Sequence, residues 1–165
     1  MAAYFESSTL IETLLTGNNL LMSLRGPELD LLKPHLRALQ SPANSVLYDP
    51  GQNGQTVYFP CHRTLVSFLV STEDGGAVES LLVGREGAVG GIVSQGNLPA
   101  FAKIAVQTGG DLLSGPVNGL DECKGKSRAI EQLFARYADC LVAQMFQTAA
   151  CNAAHSIEQR TAKWI

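Results

Sequence analysis

The sequence is poor in charge and has no closely spaced pair of cysteines. Only 16% of its 165 residues are charged, and 15 Asp and Glu residues stand against 12 Lys and Arg residues. The net charge of −3 argues against a chain that grips nucleic acid by itself, because such proteins usually carry a basic patch. The four cysteines, at positions 61, 123, 140 and 151, form no CxxC motif. We therefore predict no disulfide framework, no cofactor and a reducing cytoplasm.

Long apolar runs are also missing. No stretch reaches the ~20 apolar residues that a membrane-spanning helix needs, and no signal peptide opens the chain. We therefore expect a cytoplasmic protein with no membrane partner. Hydrophobic residues still make up 45% of the sequence, which is enough for one domain with a core and one appended element.

No group of residues indicates an enzyme. Cys61 and His62 are adjacent, and neighbouring residues of a strand point to opposite faces, so they do not form a nucleophile and its base. Cys151 and His155 would share a helix face, and two copies of the chain could then offer four zinc ligands. Packing is the simpler interpretation of Cys151. We predict no catalytic residues and no metal site.

The last third of the chain, residues 127–165, contains neither proline nor glycine. Ser127 can cap a helix N-terminus, and Glu131 follows in the first turns. This pattern predicts one long helix over 127–165. At ~1.5 Å per residue, such a helix is far longer than the core of a small domain.

Two apolar rows run along this predicted helix. The first contains Leu133, Tyr137 and Cys140, and the second contains Val142 and Phe146. A helix that is apolar on more than one side is buried on more than one side. One side can pack on its own domain, and the simplest partner for the other is a second copy of the chain. The predicted homodimer interface comprises Leu133, Tyr137, Cys140, Leu141, Gln144, Gln147, Thr148 and Cys151.

The rest of the chain divides into a helical part and a strand-rich part. The apolar pattern of residues 7–40 predicts short helices, and Pro27 lies in the first turn of one of them. From Ser45, short apolar runs alternate with turn sequences such as Asp49-Pro50-Gly51, a pattern typical of an antiparallel sandwich or barrel. Residues 115–125 resemble a connector into the long helix. The predicted strands are 46–48, 56–59, 65–71, 77–83, 88–89, 103–108 and 111–113.

Several stretches resemble the sensor half of the Crp/Fnr superfamily of bacterial transcription regulators. They are residues 31–36, 46–51 with 57–60, Val83-Gly84-Arg85-Glu86-Gly87 with Val89-Gly90, and 147–152 with His155, Glu158, Arg160, Ala162 and Trp164. The resemblance implies a mainly β, α+β fold. This fold is an antiparallel β-roll, the jelly roll of cyclic-nucleotide-binding domains, flanked by short N-terminal helices and one long C-terminal helix. Residues 1–126 would form the helical segment and roll, and residues 127–165 the dimerisation helix.

The resemblance also implies a homodimer and a winged helix-turn-helix domain after the long helix. The chain stops at Ile165, where that domain is expected, so DNA would be contacted only through a domain that this sequence lacks. The expected partners are thus a second copy of the chain and an unidentified small-molecule effector.

Cyclic-nucleotide sensors of this superfamily hold the ligand in a phosphate-binding cassette that contains a Glu and an Arg. Gly91 falls at the position of the Glu, and Ala102 falls near that of the Arg. Residues 90–103 contain no acidic residue and no Arg, and Lys103 cannot reproduce a bidentate guanidinium. The candidate ligand-binding residues are Val89, Gly90, Gly91, Ile92, Ala102, Lys103, Met145 and Phe146.

We therefore predict an effector-sensing and dimerisation domain that does not bind cAMP in the usual way. Two alternatives remain open. The first is a genuine cyclic-nucleotide-binding protein with an atypical cassette. The second is a structural dimerisation module without a ligand.

Overall fold

The protein forms two antiparallel sheets that face each other, with helices before and after them. The structure is a computed structural model that describes residues 3–5, 8–92 and 98–156. The strands are β1 (Ala3–Phe5), β2 (Arg37–Ser41), β3 (Val46–Tyr48), β4 (Thr56–Pro60), β5 (Leu65–Ser71), β6 (Ala77–Val83), β7 (Lys103–Thr108) and β8 (Gly110–Pro116). The helices are α1 (Ser8–Leu15), α2 (Asn19–Met22), α3 (Gly26–Leu32), α4 (Val117–Lys126) and α5 (Arg128–Ala154), and a 3₁₀ turn covers Lys33–His35.

One sheet has the strand order β1-β2-β8-β4, and the other has the order β3-β7-β5-β6. This architecture confirms the predicted β-roll with N-terminal helices and a long C-terminal helix. Six of the predicted strands are present. The seventh, at 88–89, forms only a bridge, in which Tyr58 and Val89 exchange two backbone hydrogen bonds of 2.8 Å.

Two predictions about local structure are wrong. Residues 37–41 form strand β2 rather than the end of a helical segment, because β2 pairs with β8 along its whole length. Residues 117–126 form helix α4 rather than an irregular connector. Its Gly119 lies where a Cβ would come within 2.6 Å of the His35 ring, so this helix uses a glycine to approach its neighbour closely.

Alternation along β2 and β8 separates the two cores. Leu39 is paired with Leu112, and both point into the roll, between the sheets. Ala38 is paired with Leu113, and both point outward to a second core, which the helices cover. The roll interior is therefore a layer distinct from the layer that holds the helices.

Helix α5 begins and ends at identifiable residues. The Ser127 side chain caps it by accepting a hydrogen bond from the Ile130 amide, as the sequence predicts. The helix covers 27 residues and ends at Ala154, because His155 has extended backbone angles of φ −115° and ψ 145°. The helix predicted over 127–165 is thus interrupted at His155, and residues 157–165 lie outside the described part of the chain. Among the described helices, none is long and apolar enough to cross a membrane.

Candidate functional site: the cassette stretch and the long helix

Residues 87–92, which we term the cassette stretch, are packed tightly against the roll. Gly90 has a φ of 95°, and a Cβ at this position would overlap the carbonyl oxygen of Thr56. A Cβ at Gly91 would overlap the carbonyl oxygen of Gly54 and lie 2.7 Å from Cγ2 of Val117. The site of Gly91, which the resemblance aligns with the cassette glutamate, therefore leaves no room for a glutamate side chain.

Side chains from two helices hold the cassette stretch at both ends. The Tyr137 hydroxyl on α5 donates to the carbonyl oxygen of Ala88 and accepts from its amide, each at 2.9 Å. Lys124 on α4 donates to the carbonyl oxygen of Ile92 at 2.6 Å and to Asp121 at 3.0 Å. Because Lys124 is largely buried and already paired, it is not a free cation for a phosphate.

The buried amide of Asn18 holds the start of the cassette stretch from a third side. Its nitrogen donates to the carbonyl oxygens of Pro60 and Gly87 at 2.8 and 2.9 Å, and its oxygen accepts from the amide of Leu21 at 2.9 Å. The Asn18 side chain thus makes hydrogen bonds to two backbone carbonyls that are distant in the sequence and to one backbone amide in the first turn of α2. The sequence gives only a weak signal for it, namely an Asn before an apolar helix.

Apolar side chains line the interior of the roll in the described part of the chain. Val89 and Ala102, two predicted ligand residues, are buried there, whereas Ile92 packs into the helical core instead. Lys103 is half-buried at the start of β7, opposite Leu69. No charged side chain is fully buried in the described part of the chain. A cyclic phosphate inside the roll would therefore lack an ionic partner. The interior side chains are Leu39, Tyr48, Val66, Phe68, Leu81, Val83, Val89, Ala102, Ile104, Val106 and Leu112.

A cleft of about 330 Å³ lies between edge strand β6 and helix α5. Gln144 and Thr148 of α5 line it, and the roll contributes Ser80 and two carboxylates, Glu79 and Glu86. Among the described residues that line this β6–α5 cleft, none is basic. It offers hydrogen-bonding groups, and the negative charge of its two carboxylates disfavours an anionic nucleotide. The lining residues are Leu65, Glu79, Ser80, Leu81, Leu82, Gly84, Glu86, Gln144 and Thr148.

The structure orients α5 differently from the sequence-based expectation. Met145 and Phe146 were expected at the ligand, but their side chains are 41% and 71% exposed. With about 3.6 residues per turn, Gln144 and Thr148 lie below Tyr137 on the side that faces the roll, and Phe146 lies on the opposite side. The roll-facing polar residues are thus Gln144 and Thr148, which the sequence assigned to the dimer interface.

The other predicted interface residues divide between the two environments. Tyr137 is buried within its own chain, and Leu133 and Leu141 are half-buried against its core. Cys140 and Gln147 are exposed, and Cys151 is half-buried. The exposed apolar surface lies at Val142 and Phe146 of the second row and at the neighbouring Met145, and we term these three residues the outer face of α5.

Two of the four cysteines, Cys61 and Cys123, are buried in the fold, and Cys140 is exposed. Burial raises the pKa of the Cys61 thiol to about 12, so this thiol stays protonated and unreactive near neutral pH. Its neighbour His62 is exposed on a turn with a φ of 55°. No group of three or more His, Cys, Asp or Glu side chains among the described residues could hold a metal ion.

Comparison with solved structures identifies the fold. The chain is similar to a cyclic nucleotide-binding domain from Methylobacillus flagellatus, with a TM-score of 0.67 and 12% identity over 93% of this chain and 87% of that one. It is also similar to the c-di-GMP-responsive global regulator CLP of Xanthomonas campestris, with a TM-score of 0.69 and 13% identity over 84% of this chain and 70% of that one.

A third similar structure is the regulatory subunit of a cAMP-independent protein kinase A from Trypanosoma brucei, with a TM-score of 0.62 and 16% identity. The match covers 81% of this chain and 51% of that one, so the chain spans about half the length of this subunit. No family model and no curated protein matches the sequence. The likeness shows the fold: this is a cyclic-nucleotide-binding fold of the kind that the resemblance to Crp/Fnr regulators predicts.

Proposed function

We propose that this chain is the effector-sensing and dimerisation module of a Crp/Fnr-type transcription regulator. We further propose that it does not bind cAMP or cGMP in the usual way. The observation that carries this proposal is the two-sided character of α5, which packs one apolar side on its own roll and exposes the other. DNA binding, in this proposal, is the task of a further domain rather than of the acidic residues 1–165.

A second copy of the chain is the partner that best suits the outer face of α5. Val142, Met145 and Phe146 are 41–71% exposed, and aromatic and methionine side chains of this kind are enriched at protein interfaces. Asp139 is the only charged residue between Ala138 and Ala154. Two such helices can therefore meet about a two-fold axis with little like-charge repulsion.

Disulfide trapping can test which face of α5 meets the second copy. We expect Val142→Cys, in a chain that also carries Cys140→Ser and Cys151→Ser, to form a covalent dimer under mild oxidation. Gln147→Cys in the same background is the matched control, because it is exposed but lies on another side of the helix. Trapping through position 147 and not through position 142 would contradict the proposed interface.

The effector, in this proposal, binds in the β6–α5 cleft. A ligand there would touch the roll through Ser80 and Glu86 and the long helix through Gln144 and Thr148. It could then shift the population of helix arrangements by binding one of them more tightly. The carboxylates of the cleft and the closed cassette stretch both disfavour a cyclic phosphate.

Calorimetric titration tests the nucleotide part of the proposal. We expect no binding of cAMP or cGMP up to millimolar concentration. Cyclic di-GMP, the nucleotide to which the Xanthomonas regulator responds, belongs in the same experiment. A micromolar dissociation constant for cAMP or cGMP would overturn the proposal and favour an atypical cassette.

A ligand-free dimerisation module is the second candidate, because the side chains that line the roll interior are apolar and buried. A thermal-shift screen with small amines and neutral amides separates the two candidates. Stabilisation of the wild-type protein that is lost in Ser80→Trp, which fills the cleft, would support a sensor. If no compound in the screen stabilises the wild-type protein in this way, the result would favour the structural module.

A further inference from the structure

Two tyrosines hold a backbone residue in the same way, by its N–H and its C=O together. Tyr48 donates to the carbonyl oxygen of Thr56 at 2.6 Å and accepts from its amide at 2.7 Å. Tyr137 makes the same pair of bonds with Ala88, each at 2.9 Å. The Tyr48 pair joins residues eight apart within the roll, whereas the Tyr137 pair joins the roll to α5 across 49 positions.

The two hydrogen bonds between Tyr137 and Ala88 are buried and closely packed. Ala88 is fully buried, and burial raises the pKa of Tyr137 well above its usual value, so the hydroxyl stays neutral and both donates and accepts. A Cβ at Gly87 would overlap the Tyr137 hydroxyl and lie 2.7 Å from its Cζ atom. A movement of residues 87–88 therefore moves Tyr137, or else breaks two buried hydrogen bonds.

Ala88 stands between the two parts of the molecule that the proposed mechanism has to connect. On one side of it in the chain, Gly84 and Glu86 line the β6–α5 cleft. On the other side, Val89 bridges to Tyr58 in the roll. Along α5, Tyr137 lies about two turns before Gln144, just ahead of the segment that carries the outer face.

We propose that Tyr137 is a positioning residue that couples the conformation of residues 84–89 to the placement of α5. The hydroxyl makes α5 follow this stretch, so that a change in the roll reaches the outer face of the helix. The consequence for dimerisation rests on the function proposed above, whereas the mechanical link between the stretch and α5 does not.

Amide hydrogen exchange on the whole chain tests this coupling. In Tyr137→Phe, we expect exchange at Ala88 and at residues 138–154 to rise roughly 10- to 100-fold, because two buried backbone groups lose their partner. Tyr48→Phe is the matched control, because it removes the same kind of bond pair inside the roll. It should raise exchange at Thr56 and leave residues 138–154 unchanged.

A second pair of variants approaches the link from the roll. Gly87→Ala pushes a methyl group against the Tyr137 hydroxyl, so exchange at residues 138–154 should rise although α5 itself is unaltered. Gly125→Ala is the control, because no atom lies within 4 Å of a Cβ at that position. It should leave the exchange of α5 as in the wild type.

Three results would overturn the coupling: faster exchange at Ala88 alone in Tyr137→Phe, an equal effect of Tyr48→Phe on α5, or unfolding of both Tyr137→Phe and Gly87→Ala while Tyr48→Phe folds. Light scattering on the same variants measures dimerisation, which should weaken in Tyr137→Phe and not in Tyr48→Phe. A monomeric wild-type protein would contradict the proposed function, and the exchange data would still decide the link between the stretch and α5.

Discussion

Replacement of Phe146 by alanine tests the outer face of α5 most quantitatively. Phe146 is 71% exposed, so roughly 140 Å² remains to be buried if a phenylalanine side chain presents about 200 Å². At about 25 cal/mol per Å², complete burial would contribute roughly 3.5 kcal/mol per chain to a dimer. Coverage of half this area in both chains still gives about 3.5 kcal/mol per dimer, which is more than two decades in the dissociation constant.

We therefore expect Phe146→Ala to weaken the dimer by about 100-fold or more. The helix itself should persist, because alanine is a better helix former than phenylalanine. Light scattering across a concentration series would give both dissociation constants. Phe101→Ala is the matched control, because Phe101 is 73% exposed but lies outside α5. A dissociation constant within threefold of the wild type in Phe146→Ala would contradict the burial of Phe146 in a dimer interface.

Three further predictions concern stability and reactivity. Gly91→Ala should lower the free energy of unfolding by about 1–3 kcal/mol in urea titrations, because its methyl group meets the Gly54 carbonyl, whereas Gly125→Ala should not lower it. The Cys61 thiol has a pKa raised from 9.0 to about 12 in the folded protein. Between pH 9 and pH 12 the unfolded chain therefore loses this proton while the folded chain keeps it. Over this range the free energy of unfolding of the wild type should fall more steeply with pH than that of Cys61→Ala. A slope equal in both proteins would contradict that pKa. Iodoacetamide should modify exposed Cys140 in the folded protein and buried Cys61 only in denaturant, as mass spectrometry of the peptides would report; modification of folded Cys61 would count against its burial.

The strands of the roll could be predicted because turn residues mark their ends and apolar residues alternate within them. Strand β2 could not, since Arg-Ala-Leu-Gln-Ser has a weak strand pattern and follows a helical stretch closely. Its conformation depends on pairing with β8, whose partner residues lie 69 to 77 positions later in the chain. Helix α4 was missed for a related reason. Its two glycines argue against a helix locally, and the packing of Gly119 against His35 becomes visible only in the fold.

The sequence revealed two apolar rows on α5 but not which of them faces the roll. The deciding contact is the pair of bonds between Tyr137 and Ala88, which no local pattern encodes. The absence of a cassette Glu and Arg could be read directly, because it depends on residue identity alone. Met145 and Phe146 were expected at the roll, whereas Gln144 and Thr148 lie there. The difference follows from the helix geometry, because each residue turns the side-chain direction by about 100°.

Sedimentation equilibrium of the wild-type chain at tens of micromolar tests whether two copies of the chain associate. The chain has a mass of 17.6 kDa, so we expect a species of about 35 kDa that dissociates on dilution. A mass of 17.6 kDa at every concentration would contradict it.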